Sequence, residues 1–327
     1  MRAAVVTAYG TAPVHGARPD PAPADGQVLI EVTAAPIIPL DLLCASGTSY
    51  FGPPQLPYVP GVQGVGRVLV GGSVAPGTRV WFPTTAGMRP GDGSMAERAV
   101  AAEHELVELP DGVEDALVAA LGLSSIAAWM ALTWRAQLRP GEQVVVLGAG
   151  GIVGQVAVQA ARILGARRVV AAARSEAARE RARACGADAV VPLEDDDEPA
   201  GLTARMERAC DGPVDVVVDP LCGVPSTAAA RLLGMHGRLV NLGSSAGPAA
   251  SYDSAHLRSH TASILGYTNN DITDAQRRDA LQAVLRHAGE SGLAVGYEVV
   301  DIDEVSSAWQ RQATGTTDQR LVLRITV

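Results

Sequence analysis

Between Val144 and Gln155 the sequence reads VVVLGAGGIVGQ. Ala149, Gly151 and Gly154 stand in it at an AxGxxG spacing, behind an apolar run and ahead of a helix-forming one. Backbone without side chains lets an anion come close, and the unpaired N–H groups and dipole at a helix start stabilise its charge. Gly154, one turn further in, serves a different purpose by letting helix and strand pack closely. A turn of this kind, opening a helix after a buried strand inside a βαβ unit, is the fingerprint of dinucleotide binding.

The next apolar run ends VVAAARSEAAR, with Arg174 and Ser175 at its tip. An acidic residue at this point hydrogen-bonds a free ribose 2′-hydroxyl, whereas an arginine accommodates a 2′-phosphate, so the tip favours NADPH over NADH. The alternative for Arg174 is an ordinary surface arginine, and Arg179, one turn on, is a second candidate for the same task.

Other chemistries are excluded or unsupported. The chain has no lysine, which removes Schiff-base and lysine-base mechanisms. Cys44, Cys185, Cys210 and Cys222 lie far apart, without the CxxC pairing of a zinc site or the density of a disulfide framework, so free thiols in a reducing cytoplasm are expected. His104 and His236 fall in a strand and a turn, where structural roles are expected of them. The acidic run EDDDEP, Glu194 to Pro199, reads as a solvated loop.

The elements that must position the glycines follow from pattern and length. With 327 residues, 47% of them apolar and 19% charged, the chain is globular and suits two domains. Residues 1 to about 120 give short β-like runs broken by Gly and Pro clusters, the pattern of a small antiparallel barrel. LVAALGLSSIAAWMALTWRAQL then reads as a helix. Beyond it, uniformly apolar strands alternate with helices, which predicts a parallel sheet covered on both faces. The tail from about Ala262 gives a strand, the helix DAQRRDALQAVLRHAGE and an edge-like strand RLVLRITV, and is expected to rejoin the first domain. A net charge of −9 argues against nucleic acid as a partner. Neither a signal peptide nor a run of 18 apolar residues is read, so a soluble, cytoplasmic protein is expected.

Five stretches, in order, resemble the medium-chain dehydrogenase/reductase superfamily and, within it, the zinc-independent quinone oxidoreductases, the family that includes zeta-crystallin. They are PIIPLDLLCASG, LPYVPGVQGVGRV, GSMAERAVAAEHELVELPDGV, LRPGEQVVVLGAGGIVGQVAVQAARILGA and HGRLVNLGS. The resemblance covers essentially the whole chain. It implies an α/β architecture: a Rossmann doubly wound parallel sheet domain at 122–264, plus a GroES-like β-barrel catalytic domain built from 1–121 and 265–327. Zinc-dependent relatives carry a Cys in the first stretch and a GHE in the second; here Ile38 and Val62–Gln63 stand there, and no cysteine-rich lobe is present, so no metal is expected.

By the same resemblance the cofactor, NADPH, contacts Gly150, Gly151, Ile152 and Val153 at the fingerprint. It further contacts Arg174 and Ser175 at the second strand, Asn241, Leu242, Gly243 and Ser244 at the fifth, and Tyr267, Thr268 and Asn269 in the GYTNN tip. The implied reaction is hydride transfer to a quinone or an α,β-unsaturated carbonyl bound in a cleft between the domains. Tyr50 in SGTSYFGPP resembles a family tyrosine beside the nicotinamide, where a phenol can hydrogen-bond a developing oxyanion or deliver a proton. One extra residue in this loop leaves Ser49 and Tyr50 both eligible for that position, and half-buried packing remains an alternative for Tyr50. Asp41 either anchors its loop or acts on substrate, and Ile38, where many members have asparagine, makes the pocket more apolar. An enoyl reductase or tailoring enzyme of a natural-product pathway, and a non-catalytic NADPH-binding protein, are the competing readings, and a homodimer is expected.

Overall fold

Strand β3 (Gln27–Pro36) shows why the first part of the chain is β: its side chains alternate, with Val28, Ile30 and Val32 buried and Gln27 and Glu31 exposed. In the computed structural model, which describes residues 1–317 and 319–325, β1 (Arg2–Val5) and β2 (Val14–Ala17) pair in a two-stranded sheet of their own, and β3 shares its sheet with β4 (Gln63–Val70), β5 (Arg79–Pro83), β6 (Arg98–Ala102) and β7 (Val107–Glu108). Helix α1 (Pro39–Ala45) follows β3, and α2 (Asp115–Met130) ends this stretch, with a π-helical turn at Ala131–Arg135. The backbone of α2 breaks at Gly122 (φ 27°, ψ −130°), where a Cβ would run into the Gln63 amide.

The middle of the chain alternates as its sequence predicts. It runs β8 (Gln143–Leu147), α3 (Ile152–Ile163), β9 (Arg168–Ala173), α4 (Glu176–Ala184), β10 (Ala189–Pro192), α5 (Pro199–Ala209), β11 (Val214–Asp219), α6 (Gly223–Ala230), β12 (Leu233–Asn241), α7 (Ser254–His260) and β13 (Ser263–Gly266). These strands form one parallel sheet in the order β10-β9-β8-β11-β12-β13. Strand order reverses between β8 and β11, the topological switch point beside which ligands of such sheets bind. Val144, Val145, Val146 and Leu147 are fully buried, each stabilising the sheet by about 1.5–3 kcal/mol. The EDDDEP run is an exposed loop between β10 and α5, tied to Arg205 through Glu194 and Asp197.

The C-terminal part supplies α8 (Asp274–Ser291), β14 (Tyr297–Asp301), α9 (Val305–Thr314) and β15 (Arg320–Arg324). A capping box between Thr273 and Gln276 starts α8. A seven-stranded sheet runs β14-β15-β3-β4-β5-β7, with β6 also paired to β3. Two compact units result: Met1–Gly122 with Thr273–Val327, and Leu123–Ile272.

Three sequence expectations need correction. A boundary at 264/265 would cut through β13, which pairs in parallel with β12; the chain returns to the first unit at Thr273 instead. The RLVLR strand is internal rather than an edge, because β14 and β3 flank it on both sides and bury Leu321, Val322 and Leu323. Finally, Asp115–Arg135 is long and apolar enough to cross a membrane by length and composition. Most of it is buried inside the protein, as a core helix is.

Candidate functional site

The fingerprint turn leaves β8 at Gly148 and enters α3 through Gly151, whose extended backbone (φ −80°, ψ 166°) makes it the cap of the helix. Each glycine in the turn answers to a different neighbour. A Cβ on Gly150 would collide with Ala178 in the first turn of α4, and one on Gly154 with the Gly148 carbonyl and with the Ala149 Cα at 2.5 Å. A Cβ on Gly151 would meet only the Gly148 oxygen, at 3.6 Å. Gly150 and Gly154 are therefore required by internal packing, whereas Gly151 faces open space and leaves a bare backbone for a ligand. The first-turn N–H groups of any helix lack intrahelical partners, and here no capping side chain competes for them. The turn can hold a phosphate.

At the tip of β9 the two arginines separate. Arg174 is exposed, and its guanidinium has no hydrogen bond or ion pair among the described residues. Arg179 is committed: it forks onto Glu176 at 3.0 and 2.6 Å and donates to the Arg174 carbonyl. Hydrogen bonds from Arg183 and Arg179 pull the Glu176 carboxyl down to about 2. Ser175 caps α4, its hydroxyl oxygen accepting from the Ala178 N–H at 3.1 Å. The free cation at the strand tip is thus Arg174.

At the fifth strand, Asn241 ends β12 and donates its amide to the Asp219 carboxylate and to the Gly243 carbonyl, both at 2.9 Å. Asp219, fully buried at the end of β11, also accepts from the Leu221 and Cys222 N–H groups at 3.0 and 2.8 Å. Leu242 donates its N–H to the Asp219 carbonyl at 2.9 Å, and a Cβ on Gly243 would press on the Pro220 oxygen at 2.6 Å. Ser244 is exposed. Tyr267 bonds the Asn241 carbonyl through its N–H at 2.9 Å and Asn269 through its hydroxyl at 2.6 Å, and Asn269 reaches the Leu123 carbonyl at 3.1 Å. Thr268 braces the tip by accepting from the Asn270 N–H at 3.2 Å. The strands that carry these residues are neighbours in one parallel sheet, so the fingerprint, the Arg174 tip, Asn241 and the GYTNN tip share its carboxyl end.

Tyr50 belongs to the other unit. It lies in the loop after α1, 77% exposed, its ring 4.2 Å from that of Phe51. Ser49 is buried and accepts from the Phe51 N–H at 3.3 Å. Asp41, also buried, accepts backbone N–H groups from Ile38 at 3.0 Å, Gly61 at 3.2 Å and Val62 at 3.0 Å, so it joins α1 to the LPYVPG segment as an anchor. Burial pushes its carboxyl up to about 6, against those donors and Arg320, which act to lower it.

The residues at the places of zinc ligands do not fit the metal. Ile38 and Val62 are buried and apolar, and the Gln63 side-chain oxygen accepts from the Trp81 indole at 3.0 Å. Among the described residues no group of three or more His, Cys, Asp and Glu could hold an ion. His104 is largely exposed near Asp274, and His236 sits in β12 with φ 60°. A cavity of about 710 Å³ in the first unit is lined by Glu103, Glu108 and Arg278 among others, none of them an expected site residue, and its carboxylates disfavour a polyphosphate. The sequence expectations did not include Asp219. Asp219 had a signal, a lone carboxylate closing the apolar run VDVVVD.

A parallel sheet with a glycine-rich strand-to-helix turn and a separate β-rich unit are the architecture of a class of dehydrogenases and reductases, and similarity to known proteins agrees. Residues 24–111 match the family described as alcohol dehydrogenase GroES-like domain, and residues 153–288 the one described as zinc-binding dehydrogenase. The quinone oxidoreductase of Lama guanicoe is 32% identical over 251 residues, 75% of this chain and 73% of that protein; the Homo sapiens protein gives the same values. The quinone oxidoreductase of Thermus thermophilus, solved also with NADPH, superposes with a TM-score of 0.81 at 26% identity, covering 99% of this chain and 100% of that one. A subunit of the phenolphthiocerol/phthiocerol polyketide synthase of Mycobacterium tuberculosis is 29% identical over 308 residues, 93% of this chain but 14% of the synthase subunit. The chain belongs to the quinone oxidoreductase family of the medium-chain dehydrogenase/reductase superfamily.

Proposed function

We propose that the protein binds NADPH along the carboxyl end of its parallel sheet and uses it, without zinc, to reduce a quinone or an α,β-unsaturated carbonyl. The observation that carries this reading is the pairing of an open Gly151 turn with an unpartnered Arg174 at the tip of the next strand. Anion-binding backbone and a free guanidinium match a pyrophosphate and a 2′-phosphate. Bound there, NADPH supplies the hydride, and the protein's part is to hold and orient it. Asn241 and Asp219 fix the ends of β11 and β12, while Tyr267 and Asn269 hold the GYTNN tip.

Tyr50 supplies a hydrogen-bond donor to the carbonyl oxygen as negative charge builds there. Of the two residues eligible for this role, Ser49 is buried and engaged with its own loop, whereas the Tyr50 hydroxyl is exposed. The sequence has no lysine, and the described residues hold no metal-ligand set, to offer a competing route. The four free thiols suit a reducing cytoplasm, and the outer strand β13 suits a homodimer built by sheet extension; light scattering showing a monomer would refute the dimer.

The test is oxidation of NADPH, followed at 340 nm, against 9,10-phenanthrenequinone, simple enones and enoyl thioesters, with NADH in parallel. Turnover of the first two classes with NADPH preferred is expected. Similarity to the polyketide synthase subunit over most of the chain favours, as a second reading, reduction of an enoyl thioester in a biosynthetic pathway. Its mark would be higher kcat/KM on the thioesters. Tight NADPH binding with no turnover on any compound would mean a binding protein.

A further inference from the structure

A buried glutamine lies under the fingerprint turn. Gln155, only 2% exposed on the inner face of α3, donates its side-chain N–H to the Gly150 carbonyl at 2.8 Å. The next group along, the Gly151 N–H, donates to the Gly148 carbonyl at 3.1 Å, and the Gly151 carbonyl accepts the Gln155 backbone N–H at 2.8 Å. Both polar ends of the Gly150–Gly151 peptide are therefore spent inside the protein. Of the four residues expected to contact the cofactor here, Gly150 serves packing against Ala178 and Gly151 contributes clearance, and donation to phosphate falls to Ile152 and Val153, the first two residues of α3.

We propose that Gln155 is a positioning residue for the pyrophosphate: by holding the Gly150 carbonyl it locks this peptide with its oxygen turned inward, leaving Ile152 and Val153 as the phosphate donors. The inference rests on the NADPH reading above. The physical reason is backbone freedom. If the Gly150–Gly151 peptide rotated, its oxygen would leave the Gln155 amide and its N–H the Gly148 carbonyl, and the backbone that presents the Ile152 and Val153 N–H groups would lose its fixed direction; glycines on both sides make that rotation sterically easy. A side chain one helical turn away that bonds the carbonyl removes this freedom without touching the cofactor itself.

Gln155→Met keeps length and fills the buried space but donates nothing. The probes are NADPH and 2′-AMP, which carries the 2′-phosphate and lacks the pyrophosphate. Titration by intrinsic fluorescence should show NADPH binding weakened about tenfold in the variant, with 2′-AMP within a factor of two of the wild type and a Tm lowered by only a few degrees, the cost of one unmade hydrogen bond. Equal weakening of both ligands, or an unchanged affinity for NADPH, overturns the proposal. Failure of the wild type to bind NADPH would instead bring down the cofactor reading, so the two failures are told apart. Should the variant not fold, residue-resolved amide exchange on the wild type decides. Gly151 should be protected before NADPH is added, and Ile152 and Val153 should gain protection only when it binds; a comparable gain at Gly151 would overturn the assignment.

Discussion

The fingerprint turn and the loop region that follows β3 are both held by one buried polar side chain, and they hold their surroundings in opposite ways. Gln155 is neutral, donates to the Gly150 carbonyl, and leaves the backbone beyond it open. Asp41 is ionisable, gathers three N–H groups from two distant segments, and leaves none of those donors to a ligand. The first arrangement frees backbone for binding; the second uses backbone up to keep a scaffold in place. Under the proposed function, the first region would act through peptide groups and clearance, and the second through exposed side chains such as Tyr50.

The strongest way to break this contrast is to remove the scaffold's anchor. In Asp41→Asn one face of the amide would present N–H groups to backbone donors, orphaning at least one buried N–H, for a loss of about 3 kcal/mol at pH 4. The pH dependence has a definite sign. Asp41 has its native carboxyl raised from 3.8 to about 6, so its contribution is fully present below the lower value and is lost as pH rises through the upper one. Asparagine does not titrate, and the gap between wild type and variant should narrow from pH 4 to pH 7 in urea unfolding. A gap that widens over that range would show that the three donors outweigh burial.

A smaller effect, confined to binding, is expected at the other region. Arg174→Ala deletes a guanidinium with no partner among the described residues, so stability should stay the same. Loss of a charge-assisted bond to a 2′-phosphate should reduce the preference for NADPH over NADH by about 10- to 100-fold. Competition binding with the two nucleotides measures this ratio, and an unchanged ratio would pass the role to another group. Arg179, already paired with Glu176, is the weaker replacement.

What the sequence made legible follows the same division. The βαβ order, the glycine turn and the Arg174 tip could be read because they depend on local spacing, and the structure has each of them within one sheet. Gln155 escaped notice because its significance lies in a carbonyl five residues back, and only the fold turns that residue inward. Strand β14 and helix α9 escaped because YEVVD and VSSAWQRQAT are short and mixed in polarity, and packing against β15 decides their conformation. The RLVLR strand was misplaced to an edge for the complementary reason: its neighbours β14 and β3 come from opposite ends of the chain. In the loop after α1 the extra residue left Ser49 and Tyr50 equivalent, and only burial separates them.

The smallest effect, and the one that sharpens the contrast most, concerns Tyr50. Tyr50→Phe keeps the ring and its contact with Phe51 while deleting a hydroxyl that bonds nothing within the described residues. Stability and NADPH affinity should be unaltered, because neither the scaffold held by Asp41 nor the peptide held by Gln155 is touched. If the hydroxyl meets the carbonyl oxygen as charge develops there, kcat should fall about tenfold, the equivalent of one hydrogen bond gained in the transition state. Single-turnover oxidation of NADPH at saturating quinone isolates that step. A variant with wild-type kcat would show that the substrate oxygen takes its donor from elsewhere, and the loop after α1 would then contribute apolar surface alone, with all the polar positioning done from the parallel sheet.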